Sequence, residues 1–237
     1  MPRISNYLRF CLVSFTSLFF IFYISISITT KNHIELVDNY TLCLLDIHQA
    51  FDSLSIPWFI TFSSALMYWR SKNFISNDMD IGIFYKDLKS KNFNETNFVT
   101  IMEKKFHFQF RRNYGRIDHG QEWAFSCPKS NIPIDIFVYY PLNELNKSSD
   151  YWSATYNGIC NNMIYKKCRW RFKRFSLTKF RMFNRKFYVV PIEFIVERYG
   201  KNYTIPHQYD YFQSLTFLPN LIKEYSVNIT NSKQKSK

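Results

Sequence analysis

Asp78 and Asp80 stand two residues apart at the entrance to an apolar run, Ile81-Gly82-Ile83-Phe84-Tyr85. Side chains alternate along an extended chain, so on a strand these two carboxylates share a face. Two like charges side by side repel, and a cation between them removes the penalty. Hard oxygen ligands of this kind suit Mg²⁺ or Mn²⁺, which in turn bridge phosphate oxygens. A solvated turn is the alternative for such a pair. Asp135 weighs against it. It sits inside Ile132–Tyr140, IPIDIFVYY, a strongly apolar strand. An ionised carboxylate among isoleucine and phenylalanine is costly to bury unless something pairs with it. On a strand beside the first it becomes the third carboxylate of a metal-phosphate site.

Other residue types with chemical potential read more plainly. His48 falls on the apolar stripe of a helix and is expected to be a packed or partly exposed helix residue. Asp118 and His119 lie in a polar stretch, Tyr114 to Glu122, expected to be a turn, so they are treated as loop residues. Between Lys166 and Lys186 there are ten positive charges in 21 residues and no acid. Most of these suit a solvated basic face, and a few could bind a diphosphate or an acidic acceptor. Cys43, Cys127, Cys160 and Cys168 form an even set, with Cys160 and Cys168 the expected local pair. No C-x-x-C spacing supports a zinc site.

The elements that must hold the carboxylates follow from periodicity. Residues 32–54 carry Ile34, Val37, Leu44, Leu45, His48 and Phe51 near helical spacing, with Pro57 as the stop. A short apolar run, Trp58 to Phe62, ends in Ser63 and Ser64, and a helix is expected over Ala65 to Lys72. Further expectations are a helix near Glu95 to Lys104, a strand over Lys105 to Phe110, and a strand with one wet face over Arg169 to Lys173. Pro191 opens a short helix that Gly200 closes.

The chain has 237 residues, 46% of them hydrophobic, and a formal charge of +13. That length suits one domain with accessories, and the charge suits phosphates, anionic glycans or a membrane surface. Phe10 to Thr30 contains no charged residue over 21 positions, and Arg3 and Arg9 precede it. About 20 such residues span a bilayer, and positive residues stay cytoplasmic. The division expected is therefore a cytoplasmic tail (1–9), a transmembrane signal-anchor (10–30), a luminal domain (31–226) and a disordered tail (227–237). A cleaved signal peptide is the competing reading of the apolar run. N-x-[ST] sequons at Asn39, Asn94, Asn146, Asn202 and Asn228 agree with the secretory pathway, where four cysteines would form two disulfides. A luminal domain also argues against nucleic acid as the partner of the basic run.

Several of these motifs, in this order, resemble the LicD and fukutin family of nucleotidyltransferase-like proteins. They are Phe62-Ser63-Ser64-Ala65-Leu66 with Tyr68-Trp69-Arg70, then Asn73-Phe74-Ile75 leading to Asp78-Met79-Asp80-Ile81-Gly82. Pro133-Ile134-Asp135-Ile136-Phe137, Val190-Pro191, Glu197-Arg198-Tyr199-Gly200 and Ile205-Pro206 complete them. The resemblance covers roughly residues 40–210. It implies an α+β fold, a nucleotidyltransferase-like mixed sheet flanked by helices, following the transmembrane helix. It also implies that Asp78, Asp80 and Asp135 are the metal-binding and catalytic carboxylates. Ser63 and Ser64 fall at a phosphate-cradling turn, and Arg70 falls at the basic substrate-binding position after it. Family members move a phosphorylated alcohol (ribitol phosphate, glycerol phosphate or phosphocholine) from a CDP-linked donor onto a glycan or glycoprotein, with fukutin-type members in the Golgi. The chain departs from the pattern in its first turn, where Ser63 or Ser64 replaces the usual glycine, and in its shorter acidic motif. These departures motivate a second expectation, a membrane-anchored, inactive accessory or glycan-binding protein of the same fold. A third is a basic secreted glycan-binding protein.

Overall fold

A computed structural model describes Phe22, Ser25 and residues 39–143, 145–146, 149–155, 159–160, 163–164, 166–207 and 220–226. The architecture is mixed α/β, with five helices and a large mixed sheet among these residues. The expected anchor over residues 10–30 lies outside them, apart from Phe22 and Ser25. Among the described residues no helix is long and apolar enough to cross a membrane. The tail expected from residue 227 also lies outside the described residues.

Helix α1 (39–54) buries Tyr40, Cys43, Leu44, Ile47, Ala50 and Phe51. Their spacing of three and four residues makes one apolar stripe. The chain turns at Ser55, with φ at 52°, before Pro57. Strand β1 (Trp58–Ile60) follows, all three residues buried. Helix α2 (Phe62–Ser71) then begins three residues earlier than expected. Strand β2 (Met79–Phe84) leads into helix α3 (Tyr85–Ser90). Helix α4 (Glu95–Phe106) is opened by a reciprocal Asn94–Asn97 cap.

Two expectations in the next stretch are corrected. Residues 105–110 are not a strand. Helix α4 continues to Phe106 and ends on His107 in the left-handed region, while Phe108 is buried in the following turn. The three phenylalanines that looked alternating belong to a helix, a turn and a strand. Nor is Tyr114–Glu122 a polar turn. Strands β3 (Gln109–Arg116) and β4 (His119–Ser126) form a hairpin whose turn is Ile117 and Asp118. Among the described strands β3 pairs with β4 alone, and it is mostly exposed, so no apolar alternation marks it. Asp118 makes an exposed ion pair with Arg116 at 2.6 Å.

Strand β5 (Pro133–Pro141) is central and largely buried. After it come β6 (Tyr151–Thr155), a small hairpin of β7 (Ile159–Cys160) and β8 (Met163–Ile164), and β9 (Lys166–Phe172). Strands β10 (Thr178–Met182) and β11 (Arg185–Val189), helix α5 (Ile192–Tyr199) and strand β12 (Leu221–Ser226) complete the described elements. As expected, α5 is opened by Pro191 and closed by Gly200.

The sheet runs β10-β11-β1-β2-β5-β6-β9-β12, with β4 and then β3 branching from β5. Strand β2 pairs with β1 antiparallel and with β5 parallel. One face carries Ile81, Ile83, Ile134, Ile136 and Trp123, where Phe98 of α4 stacks on Trp123 at 4.4 Å. On the other face Phe62, Phe137, Tyr139, Phe172 and Phe194 pack around α2 and α5. A disulfide between Cys43 and Cys127 ties α1 to the residue after β4. It joins two of the four cysteines beyond residue 30. The side chains of Cys160 and Cys168, the expected local pair, lie outside the described set.

Candidate functional site

Asp80 and Asp135 are direct cross-strand partners in the parallel β2–β5 ladder. Residues opposite each other point to the same face, so the two apolar strands bring two acids together. Asp78 lies in the bend before β2. One carboxylate oxygen from each of Asp78, Asp80 and Asp135 lies within 4.8 Å of the other two. The grouping read from the sequence is therefore assembled in three dimensions.

Helix α2 explains how Asp80 is held. The first amides of a helix lack intrahelical partners, and Thr61 at the cap position supplies no side-chain acceptor. Asp80 supplies it from the neighbouring strand. Its Oδ2 accepts from the Ser63 amide at 2.8 Å and from the Ser63 hydroxyl. A carboxylate at a helix N-terminus also meets the positive end of the helix dipole. Ser64 Oγ accepts from the Asp80 amide at 2.9 Å and donates toward the Asp78 carbonyl at 3.5 Å. Both serines are thus engaged with the acidic strand.

The chain turns from β1 into α2 through Phe62, whose φ is 38°. Four rings surround Phe62 and hold it there. Gly82 answers a different need. A Cβ on it would fall 2.3 Å from the Phe59 ring and 2.9 Å from the Tyr139 ring. Its bare backbone lets Phe59 and Tyr139 close over β2, where Tyr139 shares a 2.6 Å hydrogen bond with Thr61.

A second layer of contacts comes from α1. The Tyr40 hydroxyl donates to the Ser76 carbonyl and accepts from the Ser76 amide at 3.3 Å. Ser76 Oγ donates to Ser63 Oγ at 2.9 Å. A continuous chain of polar contacts therefore runs from α1 through the 72–78 loop to Asp80. Tyr40 is one turn before Cys43, so the disulfide braces the same end of α1.

Electrostatics follow from burial. Asp80 is 5% exposed, and burial, then the charges of Asp78 and Asp135, push its carboxyl well up; the two Ser63 hydrogen bonds oppose this. Burial also raises Asp78. Asp135 is pushed up to about 7 by burial and by Asp78, against the pull of Arg112 and Arg111. Asp80 and Asp135 thus resist ionising beside a charged neighbour, Asp78 resists it through burial, and a divalent cation relieves all three. An all-carboxylate donor set fits Mg²⁺ or Mn²⁺.

No protein-family model matches this chain, and no curated protein matches it either.

The remaining candidates fall elsewhere. Arg70 is in the last turn of α2, its guanidinium 2.9 Å from Met67 Sδ. Seven residues of helix place it about 10 Å along the axis from Ser63. His48 is the packed helix residue expected: it pairs with Asp52 at 3.1 Å and meets Phe187 edge-on at 5.0 Å. It lines a separate cavity of about 470 Å³ with Asp52, Trp58 and Lys186. Asp118 lies at the tip of the β3–β4 hairpin, and the side chain of His119 is outside the described set. Sequence reading missed Tyr40, Thr61, Tyr139, Arg111 and Arg112. The Arg111-Arg112 doublet carried a signal, but one that the larger basic run obscured.

Proposed function

We propose that this chain is a metal-dependent transferase of the LicD and fukutin type. It moves ribitol phosphate, glycerol phosphate or phosphocholine from a CDP-linked donor onto a glycan. The observation that carries the reading is the meeting of Asp78, Asp80 and Asp135 within 4.8 Å at the N-terminus of α2. Sequons at exposed Asn94, Asn146 and Asn202, together with the Cys43–Cys127 disulfide, support a luminal domain. In this proposal the domain is anchored in the Golgi membrane as a single-pass type II protein.

Asp78, Asp80 and Asp135 would hold Mg²⁺ or Mn²⁺, which when bound neutralises charge on the donor diphosphate and the departing CMP. Ser63 and Ser64 act one step back, fixing the Asp80 carboxylate and the start of β2. The acceptor hydroxyl attacks the distal phosphorus in line. An oxygen–phosphorus bond to the acceptor forms, and the bond from that phosphorus to the CMP oxygen breaks. The hydroxyl proton passes to a carboxylate oxygen of Asp135.

The test is to incubate the full chain with CDP-ribitol, CDP-glycerol and CDP-choline, with Mn²⁺ and then with EDTA. Metal-dependent CMP release from one donor, lost in Asp80→Ala, supports the reading and names the alcohol. Release that persists in a folded Asp80→Ala protein would overturn it.

A further inference from the structure

The register of the β3–β4 hairpin shifts between Phe110 and Arg112. Phe110 pairs with Phe125, yet Arg112 already pairs with Ala124. Arg111 is the extra residue of a bulge, a feature that re-aims side chains. Phe110 packs against Phe125 at 5.5 Å, on the face that α1 and α4 cover. A regular strand would return Arg112 to that face. The bulge delivers it to the opposite one, where Asp80 and Asp135 point.

The pairing then draws a single row across four strands. Arg112 is opposite Ala124, Ala124 opposite Asp135, and Asp135 opposite Asp80. Strands lie about 4.8 Å apart, so the Arg112 backbone is about 10 Å from that of Asp135. Only the methyl group of Ala124 stands between them in the row. Among the described residues, neither arginine makes an ion pair. Arg112 Nη1 donates to the Tyr114 hydroxyl at 3.0 Å, and its guanidinium lies 5.9 Å from that ring. Arg112 therefore stands in the acidic row, with Arg111 beside it in the bulge, and neither forms an ion pair with the carboxylates.

We propose that Arg111 and Arg112 form the second half of an anion site, binding one phosphate of a diphosphate ligand whose other phosphate meets the cation at Asp78, Asp80 and Asp135. The proposal rests on the metal reading given above and adds to it the residues that would recognise the anion. Two positive poles on one row, a cation and a guanidinium pair separated by a methyl group, match an anion with two adjacent charged groups. Guanidinium forks bind phosphate oxygens in pairs, and a lysine does not reproduce that geometry.

The test uses the full chain, with Mn²⁺ and inorganic pyrophosphate as probes in calorimetry. The Arg111→Ala/Arg112→Ala variant is expected to weaken Mn²⁺-dependent pyrophosphate binding by about tenfold or more, the scale of one charge-assisted hydrogen bond. Its affinity for Mn²⁺ alone is expected to hold or tighten, because two repelling charges have left. Arg111→Gln/Arg112→Gln, which removes the charge but keeps a polar side chain, provides the same readout if the alanine variant folds poorly. Pyrophosphate affinity within about twofold of the parent in either folded variant would overturn the proposal while leaving the metal reading intact. If the parent chain binds no Mn²⁺, or Asp80→Asn binds it equally well, the metal reading falls. Titration of pyrophosphate in EDTA then decides the arginines alone: arginine-dependent binding retains the anion site, and its absence removes it.

Discussion

The acidic centre and the basic ribbon use charge in opposite ways. At the centre, three carboxylates from two strands and a bend converge within 4.8 Å and are largely withdrawn from water. Along β9 to β11, ten cations are spread over more than twenty residues, and Arg171, Lys173, Arg174, Lys179, Arg181, Arg185 and Lys186 are exposed. Phe180 and Phe187 stack on each other at 5.5 Å while the cations beside them in sequence face solvent. Arg171 is held by Asp150 at 2.5 Å. The contrast shows that the number of charges matters less than their convergence. Arg112, which a bulge places in the row of the acids, and Arg111 beside it oppose the upward push on the Asp135 carboxyl.

The largest expected effect lies at the centre. Asp80→Asn keeps an acceptor for the Ser63 amide but removes a metal ligand. Metal affinity should drop by more than about 100-fold, beyond the 10–100-fold typical of an outer-shell partner. Ser63→Ala, which removes one such partner, should fall within that smaller range. Calorimetry with Mn²⁺ measures both, and equal affinities would erase the distinction between ligand and support.

Stability should register the same convergence through pH. Asp135 is raised from 3.8 to about 7 in the folded chain, so the folded state binds more protons than the unfolded one across that window. Metal-free protein is therefore expected to lose stability as pH rises from about 4 to about 7 and then to level off. Saturating Mn²⁺ should reverse the trend. Thermal melts with EDTA and with Mn²⁺ check this, and a metal-free melting point that rises over that interval would contradict it.

Covalent bracing comes next. The Cys43–Cys127 bond closes a loop of 84 residues, which corresponds to about 4.6 kcal/mol in the chain-entropy account. Cys43→Ser should lower stability by about that amount in denaturant titration. Gly82→Ala should cost about 1–3 kcal/mol by crowding Phe59 and Tyr139. The smallest effect belongs to the ribbon. Lys179→Ala and Arg181→Ala should each shift stability by no more than about 0.5 kcal/mol and leave Mn²⁺ affinity unchanged. A large metal effect from either would mean that the ribbon reaches the centre after all.

Much of the central scaffold was legible without coordinates. Apolar runs marked β1, β2 and β5, helical spacing marked the described part of α1, and Pro191 with Gly200 bounded α5. Those signals are local, since each depends on residues within a turn or two. The β3–β4 hairpin was not legible, because an exposed edge strand with two bulges has no alternation to read. Nor was the role of the two serines. Their spacing was compatible with a phosphate turn, and only the position of Asp80 at the start of α2 assigns their hydrogen bonds.

By itself the sequence determined which residues carry charge into an apolar setting. Asp80 and Asp135 each stand in a run of buried-type residues, and burying such acids demands compensation. Tertiary structure decided what compensates them. Parallel pairing of β2 with β5 sets the two acids side by side, α2 gives its Ser63 amide to one, and a bulge places Arg112 in the cross-strand row of the other. Strand register and helix placement are long-range properties of the folded chain, and residue spacing alone does not encode them.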